Sequence, residues 1–243
     1  YRRILEDFAA LPVEKAEKVM VGVVGEIFVK YSPLGNNNLE QFLVDEGAEV
    51  VVPGLLDFCL YCVYNNLLDH KFYGMQKHVQ ALYQVAYRFL LGKEKDMIDT
   101  MEAHGRFTPP TLFTHTISLV QGTISMGVKM GEGWLLTAEM LELADKGVEN
   151  IVCTQPFGCL PNHICGKGMM KPIKAKNPGI NIVAIDYDAG ATKVNQENRL
   201  KLMLANAKQA AKKPEAVPVP VQEVVFEEKI PQSIQKTARG AAL

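Results

Sequence analysis

The chain has 243 residues, 48% hydrophobic and 22% charged, enough to bury one large core or two small ones, and this excludes a disordered or fibrous protein over most of its length. Its 26 basic and 27 acidic side chains leave a formal net charge of −1 and are interspersed, so neither nucleic acid nor an anionic membrane surface is an expected partner. No apolar run reaches the roughly 18–20 residues of a membrane span, and the opening Tyr1-Arg2-Arg3-Ile4 is not a signal peptide, so a cytoplasmic location is expected.

The chain opens without methionine and enters a helix-like run at once, which predicts an N-terminal helix over residues 1–18 that continues from a segment upstream. Lys18 to Val24, apolar and β-branched ahead of Gly25-Glu26, predicts a buried strand. Asn38 is the expected cap of a helix over Leu39 to Glu46, with Gln41 at the capping-box position and Gly47 as the stop. Glu49 to Pro53 then reads as a second strand, and strand, helix, strand in succession predicts a βαβ unit with a parallel sheet. From Leu55 to His104 the spacing turns helical, with Met75, Val79, Leu82, Ala86 and Phe89 on one predicted face. Thr108-Pro109-Pro110 breaks that run, a further helix is expected over Thr111 to Met126, and Gly131-Glu132-Gly133 precedes a helix from Trp134 to about Lys146.

Asn150 to Thr154 returns to strand and leads into a loop rich in glycine and proline, Gln155 to Gly168. A last strand, Asn181 to Ile185, ends in Asp186-Tyr187-Asp188, and Thr192 is the expected cap of a helix whose Leu200, Met203, Leu204 and Ala207 form a stripe. The expected architecture is a doubly wound, mostly parallel α/β domain over 19–212 with a helical insertion at about 55–130. Beyond Lys213 lie four of the thirteen prolines, and 213–243 is expected to be an extended, mobile tail.

Five cysteines, an odd number in a chain with no secretory signal, argue for reduced thiols that are buried, reactive or metal-bound. Cys153 falls at the carboxyl end of a predicted strand, and Cys159 and Cys165 follow in the loop, where open α/β sheets build their sites. Glycines at 158, 166 and 168 let the backbone approach a bulky ligand, and converging thiolates favour iron-sulfur or zinc over magnesium or calcium. The spacing matches neither zinc CxxC pairs nor a ferredoxin run, and on spacing alone core thiols at 153 and 165 are the favoured reading. Cys59 and Cys62 share one helix face, either as small core residues or with one of them completing a ligand set.

His163 reads as a fourth ligand or a hydrogen-bonding structural residue, and Lys167 as a charge on an anionic cluster or phosphate or as a solvated side chain. Glu132 reads as a site carboxylate or a helix-terminal charge, and Asp186 with Asp188 as an acid–base pair or turn residues. The phosphate-binding glycine loops and the serine elbow are missing, so nucleotide hydrolysis by this chain is not expected.

The string Gln155-Pro-Phe-Gly-Cys-Leu-Pro-Asn-His163, with Gly166-Lys-Gly168, Ile185-Asp-Tyr-Asp188 and Asn195-Gln-Glu-Asn-Arg199, resembles the activase-related proteins of the 2-hydroxyacyl-CoA dehydratase superfamily. Val24-Gly-Glu-Ile-Phe-Val-Lys30, Asn36-Asn-Asn38 and Gly131-Glu-Gly-Trp134 look like earlier motifs of the same family, so the resemblance runs from about Val19 to Ala207. It implies a Rossmann-like domain related to the dehydratase subunits and double-cubane cluster proteins, in an oligomer. It further implies an ATP-dependent activator with an actin-like fold, on a partner or upstream in the same polypeptide, that delivers single electrons to an iron-sulfur cluster. Cys153 and Cys159 fall on the family's cysteine positions, whereas Cys165 stands where relatives are expected to carry another residue.

The expectation is a 4Fe-4S cluster ligated by Cys153, Cys159 and Cys62, with Gly158, Gly166 and Lys167 moderating its charge. The competing expectation is a non-catalytic scaffold or docking domain whose cysteines are structural or zinc-bound.

Overall fold

Four short segments rich in valine and isoleucine form the strands β1 (Val19–Gly25), β2 (Ala48–Val51), β3 (Asn150–Gln155) and β4 (Asn181–Asp186). They pair in one all-parallel sheet of order β2-β1-β3-β4, with Val24 beside Cys153 and Cys153 beside Ala184. The structure, a computed structural model, describes residues 1–14, 16–75 and 77–210. The tail expected at 213–243 lies outside the described residues. The helices are α1 (Arg2–Ala9), α2 (Ile27–Tyr31), α3 (Leu39–Asp45), α4 (Leu55–Tyr73), α5 (Gln80–His104), α6 (Phe113–Val120), α7 (Trp134–Asp145), α8 (Met170–Lys176) and α9 (Lys193–Ala210). Among the described residues no helix is long and apolar enough to cross a membrane.

Strand side chains alternate between two cores, because successive Cβ atoms point to opposite faces. Val24, Ile151, Cys153, Ile182 and Ala184 pack with α4, α6 and α7, whereas Val21, Val23, Val152 and Ile185 pack with Leu39 and Leu43 of α3 and Leu200, Met203 and Leu204 of α9. Right-handed crossovers explain this division: the connection from β1 to β2 runs the opposite way along the sheet from that between β3 and β4, so their helices fall on opposite faces. The fold is thus the doubly wound, Rossmann-like α/β arrangement read from the sequence. Its switch point lies between the carboxyl ends of β1 and β3, the position where such sheets place ligands. At that point Gly25 has φ +142°, and a Cβ there would sit 1.9 Å from the Thr154 carbonyl oxygen, so no side chain is accommodated.

Trp134 anchors the larger core. Tyr61 meets it edge-on at 5.0 Å, Tyr64 and Phe113 lie at 6.2 Å, and its indole N–H donates to Asn65 Oδ1 at 3.1 Å. Aromatic pairs of this kind contribute about 0.5–1.5 kcal/mol beyond the burial of their area.

Several local expectations are corrected. Asn38 does not cap α3: Asn37 and Asn38 take left-handed backbone, and the buried Asn36 accepts from Leu39 N at 3.0 Å instead. Gln41 donates to Asp45 rather than reaching back to the cap. The first helix ends at Ala9, short of residue 18 and ahead of Pro12. The helix expected over 111–126 stops at Val120, before Gly122 turns left-handed. Met75 and Val79 precede α5, and Leu82 and Phe89 are 66% and 62% exposed; α5 packs instead through Tyr87, Leu90 and Leu91. The loop after β3 is partly helical, with a π-turn at Asn162–Gly166 and a 3-10 turn at Lys167–Met169 leading into α8.

Candidate functional site

The carboxyl end of β3 carries a compact set of polar and sulfur groups. Cys153 is wholly buried, facing the larger core, and a Cβ placed on Gly166 would lie 2.9 Å from its Sγ, so the π-turn backbone rests directly on the sulfur. Turns of this type concentrate at functional sites because the widened ladder releases backbone groups. Burial first, then the charges of Glu139, Asp186 and Cys159, pushes the Cys153 thiol up to about 12, with Lys167 acting in the opposite direction. Cys153 is therefore protonated at neutral pH and becomes a thiolate when a cation takes the place of its proton.

Cys159 is half-buried and accepts from Asn162 Nδ2 at 3.3 Å through its sulfur. His163 lies with Nδ1 2.9 Å from the Cys159 carbonyl oxygen and so braces the turn. Gln155 Nε2 donates to Asp186 Oδ1 at 2.6 Å, tying the ends of β3 and β4 together. The remaining oxygens of these two amides, Gln155 Oε1 and Asn162 Oδ1, are buried with no hydrogen-bond partner. Orphaned acceptors are scarce in protein interiors, and two of them beside two thiols mark a place with unspent capacity for a ligand. Lys167 is exposed at the rim, as are Phe157, Leu160 and Ile164.

A second loop covers the same end of the sheet. Tyr61 donates its hydroxyl to Lys129 O at 2.7 Å, pinning the turn that contains Gly131-Glu132-Gly133. Glu132 Oε1 accepts from Ile27 N at 3.2 Å and Glu26 Oε2 from Val29 N at 2.8 Å, so the two carboxylates serve the start of α2. Glu132 thus satisfies a helix terminus, that of α2 rather than of the helix it precedes. Gly133 has φ +44°, and a Cβ there would fall 2.5 Å from Val128 O and 2.6 Å from the Tyr61 hydroxyl. Gly133→Ala is expected to cost about 1–3 kcal/mol in urea unfolding through backbone strain, with a crystal structure showing Glu132 displaced from Ile27 N. Beneath this turn Lys30 Nζ meets Glu139 Oε1 at 2.8 Å, both side chains nearly inaccessible.

The sequence-predicted residues lie on two elements, α4 and the strand and turns of 150–168. Cys153 lies in β3, and Gly158, Cys159, Gly166 and Lys167 lie on the segment that follows it. Cys62 lies exposed with Cys59 on α4, its thiol pushed up by burial and by the charge of Cys59. Cys165 is buried beneath the loop, its carbonyl accepting from Thr137 Oγ1 at 2.7 Å. Among the described residues no three His, Cys, Asp or Glu side chains form a group able to hold a metal ion.

Sequence reasoning missed Asn162, Gln155, Lys30 and Glu139. The available signal was polarity out of place: Lys30 closes an apolar run, and Glu139 and Glu142 interrupt α7, which is buried over nearly its whole length. No protein-family model, no curated protein and no solved structure matches the chain.

Proposed function

We propose that this chain is an iron-sulfur component of a 2-hydroxyacyl-CoA dehydratase-type or related ATP-driven, low-potential electron-transfer system. Cys153 and Cys159 supply two thiolate ligands of a 4Fe-4S cluster. The third thiolate is Cys62 of α4 or a ligand from another segment or subunit. The observation that carries this reading is the placement of Cys153 in β3 and Cys159 on the segment just beyond its carboxyl end, with the orphaned amide oxygens of Gln155 and Asn162 on the same stretch.

A bound cluster of this kind would accept and pass on single electrons at a potential set by its hydrogen bonds and burial. The chain's own residues fit that task in three ways. Asn162 Nδ2 donates to the Cys159 sulfur, Lys167 brings positive charge to the rim, and the glycine at 158, with φ +75°, turns the loop without a side chain over the site. Phe157, Leu160 and Ile164 present an exposed apolar surface beside Cys159, suited to a partner that completes the ligand set and excludes water.

Anaerobic co-isolation with its natural subunits, followed by iron and acid-labile sulfide analysis, tests the proposal. About four irons and four sulfides per chain are expected, and Cys153→Ser and Cys159→Ser should each remove most of them. A second reading, a scaffold with structural thiols, is favoured by the complete burial of Cys153. Iron content and electron transfer unchanged in both serine variants would establish it and sink the first. Stoichiometric zinc without visible charge-transfer absorption would sink both in favour of a zinc site.

A further inference from the structure

A cleft of about 570 Å³ runs along edge strand β2 toward the amino-terminal end of β1, away from the cysteine loop. Its walls are largely apolar, including Met20, Val51, Leu56, Met97, Leu143 and Val148. Three carboxyl side chains from three helices also line it: Asp57 of α4, Glu94 of α5 and Glu142 of α7, exposed by only 5%, 1% and 5%. Two of them have partial partners. Glu94 Oε1 accepts from Phe113 N at 3.0 Å, and Glu142 accepts from Thr116 Oγ1 and pairs with Lys146 at 3.3 Å. Glu94 Oε2 is buried with no N–H or hydroxyl donor. Asp57 lines the same cleft, and its interaction with Glu94 favours the protonated Asp57 carboxyl, the one form in which it can donate.

We infer that this cleft is a binding site for an organic cation, a planar amidinium, guanidinium or primary ammonium group on an apolar body, whose N–H groups bridge Glu94 Oε2 and Asp57 and replace the proton between them. A buried carboxylate with no donor costs free energy that a charged N–H donor repays, and a forked cation matches two carboxyl groups at once. A metal ion is the less suitable occupant, because no three acidic side chains among the described residues are placed to ligate one. An anion is excluded by the charge of the walls, where Glu49 of β2 joins the three carboxyls and Lys146 is already paired with Glu142.

Proton replacement makes the binding pH-dependent in a defined direction. Burial, then the charges of Glu142, Glu94 and Glu139, pushes Asp57 up to about 8. Tyr31, the other titrating group that responds to Asp57, has its own hydroxyl raised by burial and does not ionise below that pH. A cation that must displace the Asp57 proton binds more tightly as pH rises, by about fivefold between pH 7 and pH 8, and levels off above that.

Calorimetry with benzamidinium, benzamide and benzoate separates charge from shape, since the three are nearly isosteric and benzamidinium keeps its charge from pH 6 to pH 9. The expected result is that benzamidinium binds at least tenfold more tightly than benzamide, that benzoate does not bind, and that proton release accompanies binding at pH 7. Glu94→Gln retains the acceptor for Phe113 N and is expected to keep the fold while weakening benzamidinium at least tenfold. Asp57→Asn is expected to do the same and to abolish the pH dependence. Equal binding of benzamide, no binding of benzamidinium at any pH, or undiminished binding in both folded variants would overturn the inference.

Discussion

Lys30→Ala is expected to destabilise the protein by about 3–5 kcal/mol at pH 7, because it strands a buried carboxylate. Lys30 and Glu139 touch at 2.8 Å with side-chain exposures of 3% and 2%. Burial opposes the charge of Lys30, yet Glu139 and Tyr31 hold its pKa above the usual lysine value. On Glu139 burial acts the other way, favouring the neutral acid, while Lys30 pulls it back toward ionisation. The short contact decides between these tendencies, and the pair is ionised at neutral pH. Removing the lysine alone leaves Glu139 facing Glu142 and Glu132 with nothing to offset them. Urea unfolding from pH 5 to pH 8 checks this. The variant should lose most at pH 8 and recover as acid protonates Glu139, since its native carboxyl holds a proton that the unfolded chain has released. Lys30→Met with Glu139→Met should regain most of the loss, because a packed apolar pair needs no desolvation of charge. A single variant as stable as the parent would show that the ion pair is not what joins α2 to α7.

The doubly wound sheet was legible because each strand combines β-branched residues with a flanking turn, and because strand and helix patterns alternate. Val19–Gly25 and Asn150–Gln155 fall within a residue of where their composition puts them. Local capping was less legible. Asn36, Asn37 and Asn38 are chemically equivalent caps, and only the left-handed turn of the last two selects the first. The stripe from Met75 to Phe89 has helical period, yet period alone does not say which face of α5 finds α4; Tyr87 and Leu90 do. At the candidate site, the position of Cys153 followed from the rule that α/β sheets carry their sites at strand ends. The exposure of Cys59 and Cys62 did not follow, because it depends on how α4 is rotated, and α4 turns both outward while burying Leu60 and Tyr61. The carboxyl groups of the second cleft were illegible for the same reason: Asp57, Glu94 and Glu142 are far apart in sequence, and their shared burial is a property of packing alone.

That packing has a consequence for stability. Asp57 titrates near pH 3.8 as a free side chain and is pushed up to about 8 in the folded protein, by burial and then by Glu142, Glu94 and Glu139. Between those values the native state holds a proton that the unfolded chain has lost, so stability falls as pH rises and levels off above about pH 8. The slope is at most about 1.4 kcal/mol per pH unit from this group, and Glu94, raised by burial and by Glu142, adds to it in the same direction. Asp57→Asn removes the titrating group while keeping its shape, and its amide can donate to the orphaned Glu94 Oε2. The variant is therefore expected to gain on the parent by up to about 4 kcal/mol between pH 5 and pH 8 and to show a flatter pH profile, with the gap closing only toward pH 4. Urea unfolding at pH 5, 6, 7 and 8 reads both effects. A parent whose stability rises over that range, or an asparagine variant that is weaker at pH 8, would mean that Asp57 is ionised in the fold and finds a cationic partner already, which would also remove the reason for the cleft to take one.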